Sequence, residues 1–435
     1  MFAENAQGNA RLPLISIPRW SRFGEQVQAE IAYRWGFRVV LLDCFGESCD
    51  GDQVVVAEVI GEDRLDEWQQ KFAWTAFNKI QTDDISELDR SEIYKLLAAG
   101  ATGRGPFSRL GWTDELLQWI ADETGLDRSQ LSGELRQFNA AANYTLLRIE
   151  RRDANSLWFK AVGDANLREF RCTRALSQYC PAYIPTILAI RDDWNGWLME
   201  DAGRTFDDAG SMRGHLLEQV GVTLATMQEA SIIHVDALIG RGFRNQCLSG
   251  LRSEMAELMP MLEHAIYAQT SEYIPRLEVK RVHEVQAIFE DACGFLEELG
   301  IPDTLVNYDI NVHDILLGAG KCVFTDWTGA AISNPFVMLE FLRLQLSQHA
   351  HTAKWIPRLV EAYRKRWRMT IASDCVEQAI LLSPLVAIAM QLCSCKDRLP
   401  SGQRDDPGLQ TYIRSLLRQM DRAARSSEML RTLSA

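Results

Sequence analysis

Two short apolar runs with an acid-bearing polar segment between them force a strand, a loop and a returning strand into the last third of this chain. Leu305 and Val306 lead into Asn307, Tyr308, Asp309, Ile310, Asn311, Val312, His313 and Asp314, and Ile315, Leu316 and Leu317 come next. Apolar runs this short, bounded by turn-forming residues, are strand pieces, and 307–314 is predicted to be the exposed loop between them. Gly318 and Gly320 allow a tight reversal, so Lys321 to Phe324 is predicted to return as the second strand of a hairpin and to bring Asp326 back beside the loop. Three carboxylates gathered there, those of Asp309, Asp314 and Asp326, repel one another unless a cation lies among them. Magnesium with nucleotide phosphates suits the place, because it takes few protein oxygens and completes its octahedron with phosphate and water. Taken alone, the same loop also fits an acidic surface turn, since Asp and Asn favour turns for backbone reasons.

A second signal lies upstream. Lys160 interrupts the apolar run of Leu157, Trp158, Phe159, Ala161 and Val162. A lysine in such a strand is unfavourable to bury unless its charge is paired. Glu169 lies downstream in a segment where the spacing of Leu167, Phe170, Arg174 and Leu176 predicts a helix. Each residue has an ordinary alternative, Lys160 as a snorkelling edge-strand lysine and Glu169 as part of a solvated helix face.

In this chain order the segments resemble the aminoglycoside phosphotransferase and choline kinase-like family, whose catalytic loop reads roughly H-G-D-x-H-x-x-N and whose metal motif reads I-D-W. The resemblance spans roughly residues 110 to 400 and implies a protein-kinase-like, two-lobed α+β fold with a mixed small lobe and a mainly helical large lobe. Without gaps, Asp309 falls on the catalytic aspartate, Asp314 on the magnesium-binding asparagine and Asp326 on the second metal ligand. Asn307 and Asn311 stand where the family usually has histidine. Asp314 in place of asparagine keeps an oxygen ligand and adds a negative charge. Asn334, Pro335 and Phe336 replace the usual G-D-P, and Met338 stands where an aspartate comes after it.

By the same resemblance Lys160 is the strand lysine that contacts the nucleotide phosphates, and Glu169 the helix glutamate that holds it. Gln137 to Ile149 is similar to the first hairpin of the small lobe, whose loop lies over the phosphates, although Asn139 to Asn143 contains no glycine. Met199, Glu200 and Asp201 fall on the interlobe segment that offers backbone hydrogen bonds to adenine, where an ordinary strand end reads equally well. The implied activity is phosphoryl transfer, with ATP and Mg2+ as cofactors and a small hydroxylated acceptor as substrate. The departures keep a second reading open, a catalytically impaired pseudokinase acting as a nucleotide- or partner-binding module.

Other classes fall away on composition and motif. The net charge of −13 argues against broad nucleic-acid binding and against an anionic membrane surface, and it is compatible with a cationic acceptor such as an amino sugar or a quaternary amine. No G-x-x-x-x-G-K-[ST] and no strand-linked G-x-G-x-x-G occurs, so P-loop and dinucleotide-binding readings have no support. The ten cysteines show no C-x-x-C pairing and the seven histidines are dispersed, which predicts reduced, mostly buried thiols and a cytoplasmic protein. The amino terminus has no basic region leading into a long apolar stretch, so no secretory signal is expected. Ala379 to Cys395 is the most apolar segment; Ser383, Pro384 and Gln391 interrupt it, and it is predicted to be a buried helix rather than a span.

A chain of 435 residues exceeds what one core usually supports. The glycine-rich stretch 98–106 predicts a boundary, leaving 1–105 as a small α+β module of unassigned role, 106–203 as a nucleotide-binding small lobe with a leading helix, and 204–435 as a mainly helical catalytic and acceptor lobe. In the first module Leu12–Ile17, Arg38–Phe45 and Gln53–Ile60 are predicted strands, the last two forming a hairpin through Glu47–Asp52, with a helix over Glu25–Trp35. Thr113 is predicted to cap a helix that carries Asp114 and Glu115 at its positive end and stops near Gly125. From Gly214 onward Leu217, Val220, Leu224 and Met227 form one stripe, and further helices are predicted over Leu251–Gln269, Val279–Leu299, Phe336–Ala350, Ile356–Arg368 and Val376–Cys395.

Overall fold

A computed structural model of the chain describes residues 2–6, 9–18, 22–45, 53–60, 72–74, 76–79, 87–97, 106–131, 133–141, 144–152, 154–163, 166–206, 214–318, 320–348, 350–398 and 406–434. The chain divides into two compact units, residues 1–170 with 185–201 and residues 171–184 with 202–435.

Unit 1 opens with β1 (Phe2–Ala6), β2 (Asn9–Arg11), α1 (Phe23–Trp35), β3 (Val39–Phe45), β4 (Val54–Val59), β5 (Phe72–Trp74), α2 (Glu87–Leu97) and α3 (Trp112–Thr124). Strand β1 pairs antiparallel with β2 and β5, and β3 pairs antiparallel with β4. The β3–β4 connection and the glycine-rich stretch at 98–105 lie outside the described residues. The strand predicted over Leu12–Ile17 is absent, and the segment is irregular. Pro13 and Pro18 remove two ladder donors there, which a paired strand would need. Helix α3 starts one residue earlier than its predicted cap: Gly111, at φ 77°, makes the turn, and Thr113 is a buried residue of the first helical turn. Trp112 is fully buried, so the chain has to bend inward before Thr113, and glycine takes that left-handed bend without strain.

The rest of unit 1 is a five-stranded antiparallel sheet. It is built from β6 (Leu135–Ala141), β7 (Tyr144–Ile149), β8 (Leu157–Val162), β9 (Ile187–Arg191) and β10 (Gly196–Glu200) in the order β6-β7-β8-β10-β9; α4 (Leu167–Tyr179) follows β8, its first turn counted with this unit and the rest with unit 2. Side-chain alternation along β3 sends its residues to two cores. Val39 and Leu41 pack with Val27 of α1 and with Phe37, whereas Val40 and Leu42 join Ile93, Leu96, Trp112, Leu116, Ile120 and, from the sheet, Leu147, Ile149, Phe159 and Leu198. The leading segment and the sheet thus share one core across the stretch where a domain boundary was expected.

Unit 2 runs through β11 (Arg204–Thr205), α5 (Gly214–Ser231), α6 (Val235–Gly240), β12 (Arg244–Asn245), α7 (Leu248–Tyr267), α8 (Val279–Glu298), β13 (Thr304–Asn307), β14 (Ile315–Gly318), β15 (Lys321–Phe324), β16 (Ala330–Ser333), α9 (Phe336–Ser347), α10 (Ala350–Ala353), α11 (Ile356–Trp367), α12 (Ser373–Ser394) and α13 (Pro407–Ser434). The predicted stripe on α5 is buried at Leu217, Val220, Leu224 and Met227. Helices α7, α8, α12 and α13 pack on one another. Among the described residues α12 is the one helix long and apolar enough to cross a membrane by length and composition, and most of its apolar window is buried inside the unit.

Two small sheets interrupt these helices, β11-β14-β15 and β12-β16-β13. The predicted hairpin is β14–β15, with Gly318 opposite Lys321. Gln228 of α5 ties the surroundings together, its Nε2 donating to Pro335 O at 2.9 Å and its Oε1 accepting from the Tyr363 hydroxyl at 2.7 Å. The architecture is α+β, a mixed unit and then a mainly helical one.

Candidate active site

Strand β8 is central in its sheet, so Lys160 is no edge-strand residue. It stands opposite Leu146 on β7 and Trp197 on β10, and only 5% of its surface is exposed. A charge so placed is tolerated when it is paired and hydrogen-bonded. Glu169, 2% exposed in the first turn of α4, is the partner, with Lys160 Nζ donating to Glu169 Oε1. Nζ also lies 5.1 Å from the ring centre of Tyr144 and 5.8 Å from that of Trp197, whose π faces favour a cation. The amino end of α4 adds its own positive field behind the glutamate. One ammonium group is thereby fixed on the sheet.

The acidic loop of unit 2 is more buried than predicted. Asn307, Ile310, Val312 and Asp314 are buried, and Asp309 and His313 are its exposed positions. Ile310 and Val312 act as apolar anchors, and the polar groups between them satisfy one another. Asn311 Oδ1 accepts from His313 N at 2.8 Å, and Asp314 Oδ2 accepts from Asn311 N at 2.9 Å, a reciprocal cap. Buried polar groups require such partners.

Asn307 connects the loop to the turn after β15 that carries Asp326. Its Oδ1 accepts from Asp309 N at 3.1 Å, and its Nδ2 donates to Asp326 O at 2.8 Å. Gly329 closes on the same turn: Tyr308 N donates to its carbonyl at 3.0 Å, and a Cβ at 329 would sit 2.5 Å from Asn307 Oδ1 and 2.7 Å from Asp309 N. The Asp314 carbonyl accepts from Thr325 N at 2.8 Å and from Thr325 Oγ1 at 3.3 Å, so the residue before Asp326 is pinned to Asp314. Asp326 has φ 55°, a region uncommon for residues other than glycine, and its Oδ1 accepts from Thr328 Oγ1 at 2.7 Å. From behind, Ser231 Oγ accepts from Leu305 N at 2.8 Å, and Met338 Sδ faces Asn307 N at 3.3 Å. Asp309, Asp314 and Asp326 are thus joined in one bonded cluster through Asn307 and Thr325.

At the end of β10, Met199 is buried and Glu200 exposed. The Glu200 N–H, one of the amides expected to face a base, donates to Thr186 O at 3.0 Å. Asp201 Oδ2 lies 3.5 Å from Arg148 NH2. At the start of unit 2 a Cβ on Gly203 (φ 110°) would meet Leu317 O at 2.3 Å, and one on Gly318 would meet Ala202 O at 2.6 Å. The backbone there crosses hairpin β14–β15 in direct contact, which only glycine permits.

Among the described residues no group of three or more His, Cys, Asp or Glu side chains forms a metal cage. Asp314 and Asp326 offer hard carboxylate oxygens on two backbone-tied segments. That donor set fits Mg2+, which uses one or two carboxylates and takes its other ligands from phosphate and water, and it does not fit a tetrahedral zinc site.

Three residues that hold this site, Ser231, Thr325 and Gly329, were given no role by the sequence, and Met338 was read there only as a departure from the family pattern. Gly329, so soon after Asp326 and Trp327, carried the one available signal, a glycine where backbone approaches closely.

No protein-family model matches the chain, and no curated protein matches it significantly. Solved structures resemble it. A choline kinase from Cryptosporidium parvum Iowa II is 10% identical, with 74% of this chain and 97% of that chain covered at a TM-score of 0.49. A macrolide 2′-phosphotransferase from Brachybacterium faecium is 13% identical, with 70% and 97% covered at a TM-score of 0.45. A choline/ethanolamine kinase family protein from Mesorhizobium loti is 13% identical, with 72% and 99% covered at a TM-score of 0.42.

Proposed function

We infer that this protein, built on a protein-kinase-like phosphotransferase fold, is an ATP-dependent kinase of a small hydroxylated molecule of amine or sugar type. The reading is carried by the buried pair of Lys160 on the central strand and Glu169 on α4, in one chain with a loop that holds Asp309 exposed at its turn. Lys160 would bind phosphate oxygens, its ammonium kept in place by Glu169 whether or not nucleotide is present. Asp309, held by Asn307, would orient the acceptor hydroxyl and take its proton as the new oxygen–phosphorus bond forms and the bond to the β-phosphate breaks. Asp314 and Asp326 would hold Mg2+, which when bound offsets charge on the phosphates. Catalysis on this reading is positioning and charge neutralisation more than covalent chemistry. The formal charge of −13 favours acceptors that carry a positive charge.

Calorimetric titration of ATP into the purified chain, with and without Mg2+, tests the reading. Magnesium-dependent binding that Lys160→Met removes supports it, and absence of binding in both conditions overturns it. With an acceptor in hand, Asp309→Asn is expected to abolish turnover and leave nucleotide affinity nearly intact; loss of both together would count against the role given to Asp309.

A further inference from the structure

We propose that the amino-terminal segment is a positioning element for the β6–β7 hairpin, and that it acts through two glutamines, Gln28 and Gln137. Among the described residues, strand β6 is at the edge of its sheet and β3 is paired with β4 alone, so each has an outer edge with no strand against it. Side-chain amides fill the gap. Gln137, on β6 and 1% exposed, accepts from Leu41 N at 2.7 Å and donates to Leu41 O at 3.0 Å, which imitates one rung of a ladder. Its Nε2 is also 3.3 Å from Thr145 Oγ1 on β7. Gln28 of α1 donates to Val39 O at 2.6 Å and to Leu135 O at 3.2 Å, and its Oε1 accepts from Gln137 N at 2.7 Å.

These bonds converge on one place in β6. Its pairing with β7 slips between Gln137 and Asn139, a bulge, and a bulge bends its strand and re-aims the residues beyond it. Helix α1 presses on the same point, where a Cβ on Gly24 would lie 2.6 Å from Gln137 O. Arg22 stacks over Phe138 at 4.8 Å, and Phe138 lies against Trp158 at the same centroid distance, 4.8 Å. The amino-terminal segment therefore fixes the bend from which β6 runs on to Ala141. That this hairpin attends the nucleotide rests on the kinase reading above; that its shape is set by Gln28 and Gln137 does not. Both glutamines are positioning residues with no part in the chemistry.

The test uses the full chain with two variants, Gln137→Leu, which removes the imitation rung, and Gly24→Ala, which wedges α1 off the bulge while both glutamines are retained. Amide hydrogen exchange is monitored by mass spectrometry on peptides of β6 and β7 against those of β8 and β10. Exchange is expected to rise about tenfold over residues 135–149 and to stay level in β8 and β10, as loss of the tie to β3 implies. Uniform acceleration throughout unit 1, or none, overturns the proposal. ATP affinity is read in parallel: about tenfold weakening with turnover at saturating nucleotide preserved supports it, and equal loss in both overturns it. Wild-type protein that binds no nucleotide sinks the kinase reading alone, and the exchange result still decides this one. If Gln137→Leu fails to fold, Gly24→Ala carries the same expectations.

Discussion

Asn307 grips Asp326 by its main chain: the side-chain Nδ2 donates to the Asp326 carbonyl at 2.8 Å, while the other end of the amide accepts from Asp309 N at 3.1 Å. A single planar group thus sets the separation between the proposed base and the proposed metal ligand. Asn307→Leu keeps the volume and loses both bonds, and turnover is expected to fall about a hundredfold, the scale of a one-ångström misplacement. Asn307→His is expected to recover part of it through its ring N–H. Steady-state kinetics with thermal melts separates this from unfolding.

Glu169→Gln leaves the Lys160 ammonium buried without its counter-charge. Stability is expected to drop by about 3–5 kcal/mol, the cost of breaking one side of a buried pair. Lys160→Met combined with Glu169→Leu is expected to restore most of that stability with ATP binding still lost. Urea unfolding and calorimetry on the same samples check both halves, and a double variant as unstable as the single one would refute the pairing argument.

Gly329→Ala places a methyl 2.8 Å from Asp309 Cβ and 2.5 Å from Asn307 Oδ1, distances that force the turn to open. Turnover is expected to fall more steeply than ATP affinity, since Lys160 and Glu169 are untouched. A variant with wild-type turnover would show the turn to be more compliant than its packing implies.

Asp303 precedes β13, and burial, reinforced by repulsion from Glu297, raises its carboxyl above the ordinary 3.8. A pKa raised in the folded state gives stability that is present below the ordinary value and lost as pH rises through the raised one. At neutral pH the ionised Asp303 therefore burdens the fold. Asp303→Asn is expected to raise Tm at pH 7, with the gain closing as pH falls toward 3.8. A gain that is the same at both ends would assign it to packing instead of charge.

The sequence is informative where a pattern is local. A lysine in an apolar strand with a glutamate one helical segment away, a hairpin bounded by glycines, and the stripe on α5 are all legible from spacing within a few turns of chain. It is silent where partners are remote. The burial of the Asn307–Asp314 loop depends on Ser231 and Met338, which lie 74 and 31 residues from the groups they contact. Met338, a departure from the family pattern, sets its sulfur against the main-chain N–H of Asn307, a partner that a pattern of side chains along the sequence does not reveal. At Leu12–Ile17 the apolar alternation favours a strand, but Pro13 and Pro18 deny it the ladder donors, and the prolines win.

Strand β3 sends Val40 and Leu42 into a core whose other walls include Leu147, Ile149 and Phe159. A chain made from its amino end therefore exposes one face of β3 to the translation machinery's surroundings before the walls that cover it exist. Val39 and Leu41 meet α1 at once, but the core around Val40 and Leu42 is completed only when the sheet has been synthesised. Nascent chains halted between residues 97 and 157 are expected to recruit holding chaperones and to lose them once Phe159 and Leu198 have emerged.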